Sequence, residues 1–328
     1  MLFLSESDVK KALTMDDVIE SVEGAYRDYS RKLIHVPSRV TLQVRDKDDA
    51  AIFLTANYHS MPFYGLKQAS SFPSNVRKGK ETVLADIHLY SADTGEALAV
   101  MSATYLTAMK TGAASAIATK FLAKEEACIL AIIGTGAQAS TQLDGIQRVR
   151  RLKEVRLFDL DLEKAEKFKR YIEEIKNRDY NTIITNSANE CIESADIVTT
   201  VTTSPKPVFD GKYLGDGIHL NAVGSFTPNM QEIDTDTVMK AQKIVTDIQK
   251  ETWAVAGDLL VPLKERKITQ EKLYAELGDI VAGKIPGRES EKEVTIYESV
   301  GFAALDIAVA ITAYRKSLTA GIGSIVEQ

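Results

Sequence analysis

The pattern of apolar and polar positions changes along the chain, and this change predicts two kinds of region. In the first third, alternating or mostly apolar runs follow one another without helical patterns between them. These runs cover residues 40–44, 51–56, 64–69, 82–90 and 96–101. Because strands without helical crossovers pair antiparallel, a mostly antiparallel sheet is expected here. Thr14 and Asp17 form a capping-box pattern at the start of an amphipathic helix that precedes these strands.

From residue 128 onward, apolar runs of strand length alternate with helical patterns. The strands are expected at 128–133, 155–158, 182–185, 197–202, 218–223 and 243–247, with helices at 162–176 and 188–192. This order is typical of a parallel, doubly wound sheet, so the fold class is predicted to be α/β.

Two further helices lie at the ends of this second region. The small-residue pattern over 104–123 predicts a helix that bridges two domains. The segment 303–318 follows a predicted strand and turn at 295–301, and it is apolar at nearly every position, which suggests burial on more than one side. This last helix is expected either to return to the first domain or to form a subunit interface.

A glycine turn follows the apolar run 128–133. Gly134 permits a tight exit from the strand, Gly136 lets backbone amides approach a pyrophosphate, and the small Ala139 lets the next helix pack on the strand. The amides and the positive end of the helix dipole would then face an anion. The pattern therefore indicates a nucleotide phosphate site, and the alternative is a tight strand-to-helix turn without a ligand.

An acid ends the next predicted strand at the spacing expected of a ribose-binding carboxylate. Asp159 lies roughly 20 residues beyond the glycine turn, where it would accept hydrogen bonds from the adenosine ribose and repel a ribose phosphate. This favours NAD over NADP. The alternative is that Asp159 is only an exposed acid at a strand end. Asp161, two residues later, is able to take either role.

Composition narrows the function classes. A chain of 328 residues with 45% hydrophobic residues suits two domains with real cores, and a net charge of −6 without a basic cluster argues against nucleic acid as a partner. The N-terminal apolar run is too short for a secretory signal, no run is long enough to span a bilayer, and the protein is expected in the cytoplasm. Cys128 and Cys191 are expected to be buried reduced thiols. No metal site is expected, and the four histidines are interpreted as structural or surface residues.

Candidates for chemistry come from the predicted antiparallel region, and the active site is expected in the cleft where it meets the nucleotide domain. Lys67 is one cation in a small and apolar segment, and a buried lysine needs a partner or a ligand anion. The guanidinium group of Arg39 is able to bind a carboxylate through two N–H groups. Alternatively, Lys67 extends its ammonium group to solvent at the edge of the sheet, and Arg39 is an ordinary surface residue.

Five motifs carry a resemblance to a known family. They are Gly65-Leu66-Lys67, Lys110-Thr111-Gly112-Ala113-Ala114, Ile133-Gly134-Thr135-Gly136-Ala137-Gln138-Ala139, His219-Leu220-Asn221-Ala222-Val223-Gly224-Ser225 and Tyr297-Glu298-Ser299-Val300-Gly301. Together they resemble the ornithine cyclodeaminase and mu-crystallin family, which includes archaeal alanine dehydrogenases and cyclic ketimine reductases. The resemblance covers nearly the whole chain.

The resemblance implies two domains and a homodimer. Residues 119–302 would form a Rossmann-type NAD-binding domain, and residues 1–118 with 303–328 would form a discontinuous, mostly antiparallel α+β domain for substrate binding and dimerisation. Arg39 and Lys67 would contact a substrate carboxylate, Lys67 would also transfer a proton, and Lys110 would lie at the substrate. The positions implied to bind NAD(H) are Thr111, Gly112, Gly134, Gly136, Ala137, Gln138, Asp159, Val223, Ser299 and Gly301.

Two departures from the family pattern bear on the reaction. Lys110 stands where cyclodeaminases and archaeal alanine dehydrogenases have an arginine, and Phe226 stands where they have a catalytic aspartate. A phenyl ring binds neither an amino group nor a water, so NADH-dependent reduction of a preformed cyclic imino acid such as 1-pyrroline-2-carboxylate is favoured. Ornithine cyclodeamination, with Glu232 or Asn229 in place of the aspartate, and alanine dehydrogenation stay open. So does a mu-crystallin-like binding protein with little turnover.

Overall fold

The computed structural model describes residues 1–44, 49–174 and 179–327, without the side chains of residues 76 and 77. The first part of the chain forms β1 (Leu2–Leu4), α1 (Glu6–Ala12), α2 (Met15–Ser30), β2 (Ile34–His35), β3 (Val40–Gln43), β4 (Ala50–Tyr58), β5 (Phe63–Ser71), β6 (Val83–Ser91), β7 (Ala97–Ser102) and α3 (Thr104–Leu122). Short 3-10 helices occupy Pro73–Lys78, Gly211–Tyr213 and Gln270–Lys272.

The middle of the chain alternates strands and helices. Its elements are β8 (Ile129–Ile133), α4 (Ala139–Val149), β9 (Glu154–Phe158), α5 (Leu162–Glu174), β10 (Asn181–Ile184), α6 (Ala188–Ile192), β11 (Ile197–Thr200), β12 (His219–Ala222), α7 (Thr235–Lys240), β13 (Lys243–Thr246), α8 (Gln249–Val255), α9 (Gly257–Lys264), β14 (Leu273–Glu276), α10 (Leu277–Val281) and β15 (Thr295–Glu298). The chain then forms α11 (Ala303–Ala320) and β16 (Ser324–Ile325). The last two residues of the helix predicted at 162–176 lie outside the described residues.

Two compact units divide the chain. The first comprises Met1–Lys110 with Phe302–Gln328, and the second comprises Thr111–Gly301. The boundary between Lys110 and Thr111 falls inside α3, whereas the sequence motifs led us to expect it after residue 118.

The first unit is built on a sheet in the order β16-β1-β7-β6-β5-β4-β2, with β3 also paired to β4. All of its pairs are antiparallel except β1 with β7, which confirms the mostly antiparallel prediction. The helix α11 packs on β4, β5 and β6 and against α2, so the last helix returns to the first domain. The capping box of Thr14 and Asp17 is present at the start of α2.

The second unit is a parallel sheet in the order β10-β9-β8-β11-β12-β15-β13-β14, as the alternation of elements predicts. Alternate residues of β8 are buried on opposite faces. Leu130 and Ile132 join a core with α4 and α5, while Ala131 and Ile133 join a core with α6 and α7. The chain order reverses between β8 and β11, and in open α/β sheets ligands bind beside such a reversal, at the carboxyl ends of the strands.

Candidate active site

The turn after β8 has the geometry of a phosphate-binding turn. Gly134 has a φ of +93°, and a Cβ atom there would lie 2.9 Å from the carbonyl oxygen of Val201, so only glycine fits. Its amide donates to the carbonyl of Phe158 across 2.9 Å, which fixes the exit from the strand. The position was predicted from the sequence, and the structure gives its steric reason.

The beginning of α4 is open to an anion. Gly136 and Ala137 are exposed, and a Cβ atom on Gly136 would meet nothing within 4 Å. Gln138, at the N-cap of α4, makes no side-chain capping bond to any described residue. The first amides of the helix and its dipole therefore suit an incoming phosphate, so the turn fits a dinucleotide.

Asp159 follows β9 and faces this same turn. Its Oδ2 accepts hydrogen bonds from the amide and the hydroxyl of Thr135 at 2.7 and 2.9 Å, and its Oδ1 accepts from the amide of Asp161 at 2.9 Å. Partial burial acts to raise the pKa of Asp159, but the bonds from Asp161 and Thr135 outweigh it and the pKa is lowered. The carboxylate is therefore ionised and held beside the glycine turn, where a ribose is expected.

Gly112 lies where α3 crosses α4. A Cβ atom on Gly112 would lie 2.2 Å from the carbonyl oxygen of Thr141, and a Cβ atom on Gly145 would lie 2.4 Å from the carbonyl oxygen of Gly112. The two helices thus approach each other through glycine, which explains the residue without a ligand. Contact of Thr111 and Gly112 with a cofactor stays a prediction.

Asp247, just after β13, holds the segment that follows β15. Its Oδ2 accepts from the amide of Gly301 at 2.7 Å and the hydroxyl of Ser299 at 3.2 Å, and its Oδ1 accepts from the hydroxyl of Tyr297. Gly301 has a φ of +65°, which glycine tolerates best. Ser299 and Gly301 were matched to the nicotinamide position from the sequence, and Asp247 is the residue that fixes them.

Glu232 ties together the segments that follow β11 and β12. The buried carboxylate accepts from the hydroxyl of Thr200 at 2.9 Å, the amide of Thr202 at 2.5 Å and the amide of Gly224 at 2.6 Å. Val223, which directly precedes Gly224, is buried. Both oxygens of Glu232 therefore serve the backbone, which gives this acid a structural role.

Phe226 follows in the same loop and is 41% exposed, and Asn229 is also exposed. Neither supplies a carboxylate. Glu232 is the one acid in residues 223–232, and backbone amides donate to both of its oxygens.

Two further acids are buried behind these loops. Asp258 accepts from the amides of Glu232 and Ile233 at 2.6 and 3.0 Å, whereas neither oxygen of Glu298 has a hydrogen-bond partner among the described residues. Burial, followed by the negative charges of Asp258, Glu232 and Asp247, raises the pKa of Glu298 well above the ordinary range. Burial and Glu232 likewise raise the pKa of Asp258. Burial therefore favours the neutral form of Glu298.

In the first unit, Lys67 is buried and has a partner that the sequence did not reveal. The alternation of β5 points Gly65 and Lys67 toward α11, and a Cβ atom on Gly65 would lie 2.6 Å from Ile307 Cδ1, which explains the glycine. Lys67 Nζ donates to Asp306 Oδ1 at 2.9 Å, and Lys110 Nζ lies 3.9 Å from the same oxygen. Both lysines and the aspartate are buried.

Charges around Lys67 act on its pKa in opposite directions. Burial lowers the pKa of Lys67, Asp306 raises it, and Lys110 and Arg39 lower it further, with a net lowering. Arg39 and Lys110 thus lie close enough to Lys67 for their charges to act on it. The predicted role of these three residues in binding a carboxylate requires this proximity. Among the described residues, Lys67 and Lys110 bring two positive charges to the one carboxylate of Asp306, so this cluster suits an anion.

His219 is a structural residue, as the sequence indicated. Its Nδ1 lies 3.0 Å from Thr295 Oγ1 and its Nε2 lies 3.2 Å from Asn221 Oδ1. Burial, followed by Arg288, lowers the pKa of His219 to about 3, so the ring stays neutral. Over the described ranges, no cluster of three potential metal ligands occurs. Cys191 is buried, whereas Cys128 is only partly buried and the prediction of burial is wrong there.

The sequence analysis missed two residues, one in each unit. Asp306 is the single acid within the apolar run 303–313, and an isolated acid in an apolar helix is the sequence feature that points to a buried partner. Asp247 ends a predicted buried strand, and an acid at the carboxyl end of a strand was the available signal. In both cases the partner lies far away in the sequence.

Comparison with known proteins places the chain in a family. The profile described as "Ornithine cyclodeaminase/mu-crystallin family" matches residues 1–320, and the chain belongs to this family.

Among its relatives, a Delta(1)-pyrroline-2-carboxylate reductase of Bacillus cereus is 37% identical, with 100% of both chains covered. An alanine dehydrogenase of Archaeoglobus fulgidus is 35% identical over 99% of this chain and 98% of its own. The solved structure of Thermococcus litoralis Delta(1)-pyrroline-2-carboxylate reductase in complex with NADH and L-proline superposes with a TM-score of 0.95 at 37% identity, covering 99% of this chain and 100% of the other. An archaeal alanine dehydrogenase dimer with bound NAD gives 0.94 at 35% identity, covering 100% and 99%. No helix among the described residues is long and apolar enough to cross a membrane.

Proposed function

We propose that this protein reduces a cyclic imino acid of the 1-pyrroline-2-carboxylate type to the cyclic L-amino acid with NADH. The observation that carries the proposal is the buried cluster of Lys67, Lys110 and Asp306, in which cations outnumber the carboxylate. An anionic substrate group supplies the missing negative charge. The likeness to a reductase that binds NADH and L-proline supports this choice of substrate class.

The second unit carries the groups that would hold the cofactor. Gly134, Gly136 and the first turn of α4 would bind the pyrophosphate, and Asp159 would bind the adenosine ribose. Asp247 would hold Ser299 and Gly301 at the nicotinamide. NADH, when bound, supplies a hydride to the α carbon of the imino acid.

Lys67 is assigned two tasks at the substrate. Its ammonium group, with Arg39 and Lys110, binds the substrate carboxylate, and it donates a proton to the imine nitrogen as that nitrogen becomes an amine. Its lowered pKa brings proton donation closer to neutral pH than an ordinary lysine allows. Reduction needs only this anchor, a hydride and one proton.

Phe226 separates this reaction from deamination. Ornithine cyclodeamination and alanine dehydrogenation handle an amine and an activated water, and both need an acid-base group beside the carbon under attack. The exposed ring of Phe226 supplies none, and Glu232 is bound to backbone amides. The family reaction that remains is reduction of a preformed imine.

We further propose a homodimer formed through the first unit. Large apolar side chains are exposed on its sheet, where a subunit interface would cover them. They are Val40, Leu42, Tyr64, Val83 and Leu84. The archaeal alanine dehydrogenase of the same fold is a dimer. Use of NADH and two free cysteines favour the cytoplasm.

One assay series tests the function. NADH oxidation is followed with five- and six-membered cyclic imino acids and with pyruvate plus ammonia, and NAD reduction is followed with proline, ornithine and alanine. We expect the highest kcat/KM with a cyclic imino acid and no ammonia from ornithine. Efficient ornithine turnover would instead identify a cyclodeaminase, and NADH binding without turnover of any compound would identify a binding protein.

A further inference from the structure

The pair of Lys67 and Asp306 joins two elements that are far apart in the sequence. Asp306 lies in the first turns of α11, and its Oδ1 receives Lys67 Nζ at 2.9 Å while Lys110 Nζ lies at 3.9 Å. Its Oδ2 is buried and has no hydrogen-bond partner among the described residues. One carboxylate oxygen therefore serves two ammonium groups from β5 and α3.

We infer that Asp306 is a positioning residue that holds Lys67 in place and keeps it protonated as the proton donor. Asp306 is too deeply buried to meet the substrate itself, with a side chain only 1% exposed. It acts through Lys67. The inference rests on the proposed function and adds a residue to it.

The charges that face Lys67 explain why such a residue is needed. Arg39 and Lys110 both disfavour a third positive charge, and burial disfavours it as well. The strand neighbours paired with Lys67 are Leu54 on β4 and Ile87 on β6, which carry no charge. Among the described groups shown to act on Lys67, Asp306 alone favours the ammonium form.

Among the described residues, Tyr58 is a further titratable group on which Asp306 acts. Its hydroxyl donates to the carbonyl of Ala304 at 2.7 Å. Burial, followed by Asp28 and Asp306, raises the pKa of Tyr58 well above its usual value, so the phenol stays neutral through the range of the experiment. The neighbouring charges that decide whether Lys67 is protonated are therefore those of Asp306, Lys110 and Arg39.

The proton step gives the inference a measurable form. When hydride reaches the α carbon, the electron pair of the C=N bond moves to nitrogen, and nitrogen takes a proton from Lys67 Nζ. Lys67 is left as a neutral amine and recovers a proton from solvent. Turnover therefore falls on the alkaline side as Lys67 loses its proton before reaction, and the position of this fall reports the pKa of Lys67.

Two variants with opposite expected signs test the inference. Asp306→Asn removes the group that favours the ammonium form, so the alkaline fall in kcat should move about one to three pH units lower. Lys110→Met removes a neighbouring positive charge and leaves the bond between Lys67 and Asp306 in place, so the fall should move higher. Asp306→Glu restores the charge and should recover the wild-type profile in part. A loss of packing alone lowers kcat at every pH and moves the profile in neither direction.

A second measurement needs no turnover. In protein labelled with ¹³C-lysine, the Lys67 Cε signal is assigned as the one missing from Lys67→Arg, and its titration is followed in wild type, Asp306→Asn, Asp306→Glu and Lys110→Met. A Lys67 titration that stays unchanged in Asp306→Asn, or that moves down in Lys110→Met, overturns the inference. If Asp306→Asn does not fold, the Lys110→Met and Asp306→Glu titrations decide. If wild type reduces no cyclic imino acid, the proposed function fails while this titration still tests Asp306.

Discussion

The buried charges around Lys67 in the first unit and those of Asp247 and Glu232 in the second unit are compensated in opposite ways. In the first unit, Lys67 and Lys110 share the carboxylate of Asp306, and positive charge is left over. In the second unit, backbone amides and hydroxyl groups donate hydrogen bonds to the buried carboxylates of Asp247 and Glu232. The first arrangement attracts an anion, whereas the second fixes loops.

The difference shows that burial of a charged residue does not by itself identify a functional group. A buried cation with too few counter-charges has an unmet electrostatic need, which a ligand satisfies. A buried carboxylate that accepts several amide bonds is already satisfied, and its effect is to fix the backbone. Glu298 belongs to neither class, because it is buried and its carboxyl oxygens have no hydrogen-bond partner among the described residues.

Removal of the central cation should have the largest effect. Lys67→Ala should lower kcat by roughly 100-fold or more, since both a proton donor and a substrate anchor are lost. NADH affinity, measured by fluorescence titration, should change little because the residues proposed to bind the cofactor lie in the other unit. The exposed Lys80 of the same unit supplies the control variant Lys80→Ala. Near-normal turnover by Lys67→Ala would make Lys67 a structural residue.

Loss of a loop anchor should have the next largest effect. Asp247→Asn weakens the bonds to Gly301 and Ser299, and a hydrogen bond to a charged group contributes about 1.5–3 kcal/mol. We expect kcat/KM for NADH to fall about ten- to hundred-fold. Asp236→Asn, at an exposed acid of the same unit, is the control. An unchanged kcat/KM would separate the 299–301 segment from the nicotinamide site.

The pair Glu298 and Glu232 sharpens the contrast among buried acids. Since burial raises the pKa of Glu298, its contribution to stability is full below the ordinary glutamate value of about 4.3 and is lost as the pH rises toward the folded-state value. Glu298→Gln cannot ionise, so at pH 8 it should raise the free energy of unfolding by about 1–3 kcal/mol, and by less at pH 5. Urea denaturation of the cofactor-free protein measures both values.

Glu232→Gln is the matched control, because Glu232 and Glu298 are equally buried. The new side-chain amide would face the backbone N–H groups that now donate to the Glu232 carboxylate. It should destabilise the protein at both pH values. Destabilisation by Glu298→Gln at pH 8 would contradict a raised pKa of Glu298.

The smallest expected effect concerns cofactor choice. Asp159→Ser removes the charge that repels a ribose phosphate, so the preference for NADH over NADPH should narrow about ten-fold, the value of one hydrogen bond. Asp161→Ser tests whether the neighbouring acid shares this task. A wild-type protein that uses NADPH better than NADH would refute the assignment of Asp159.

The sequence predicted those features that local patterns encode. The change from alternating strands to strands and helices predicted both sheets, and the turn at Gly134 was found because a tight exit from a strand demands glycine. Lys67 was found because one cation stood in an apolar segment. Each of these signals lies within a few consecutive residues.

Long-range partners could not be predicted in this way. Asp306 lies 239 residues after Lys67, and no local pattern couples the two positions. Glu232 was considered as a substitute for the missing aspartate, because the sequence does not show that its oxygens meet Thr202 and Gly224. Short strands such as β1, β2 and β16 were also missed, since two or three residues give no period.

The origin of Asp306 in the last helix has a consequence for how the protein is made. During synthesis, Lys67 and Lys110 leave the ribosome before the entire second unit, and Asp306 follows only after it. The second unit is complete by Gly301 and is able to fold while the first still lacks α11. Until that helix docks, Lys67 and Lys110 lack the carboxylate of Asp306, so the cluster proposed to bind the substrate is among the last parts of the molecule to assemble.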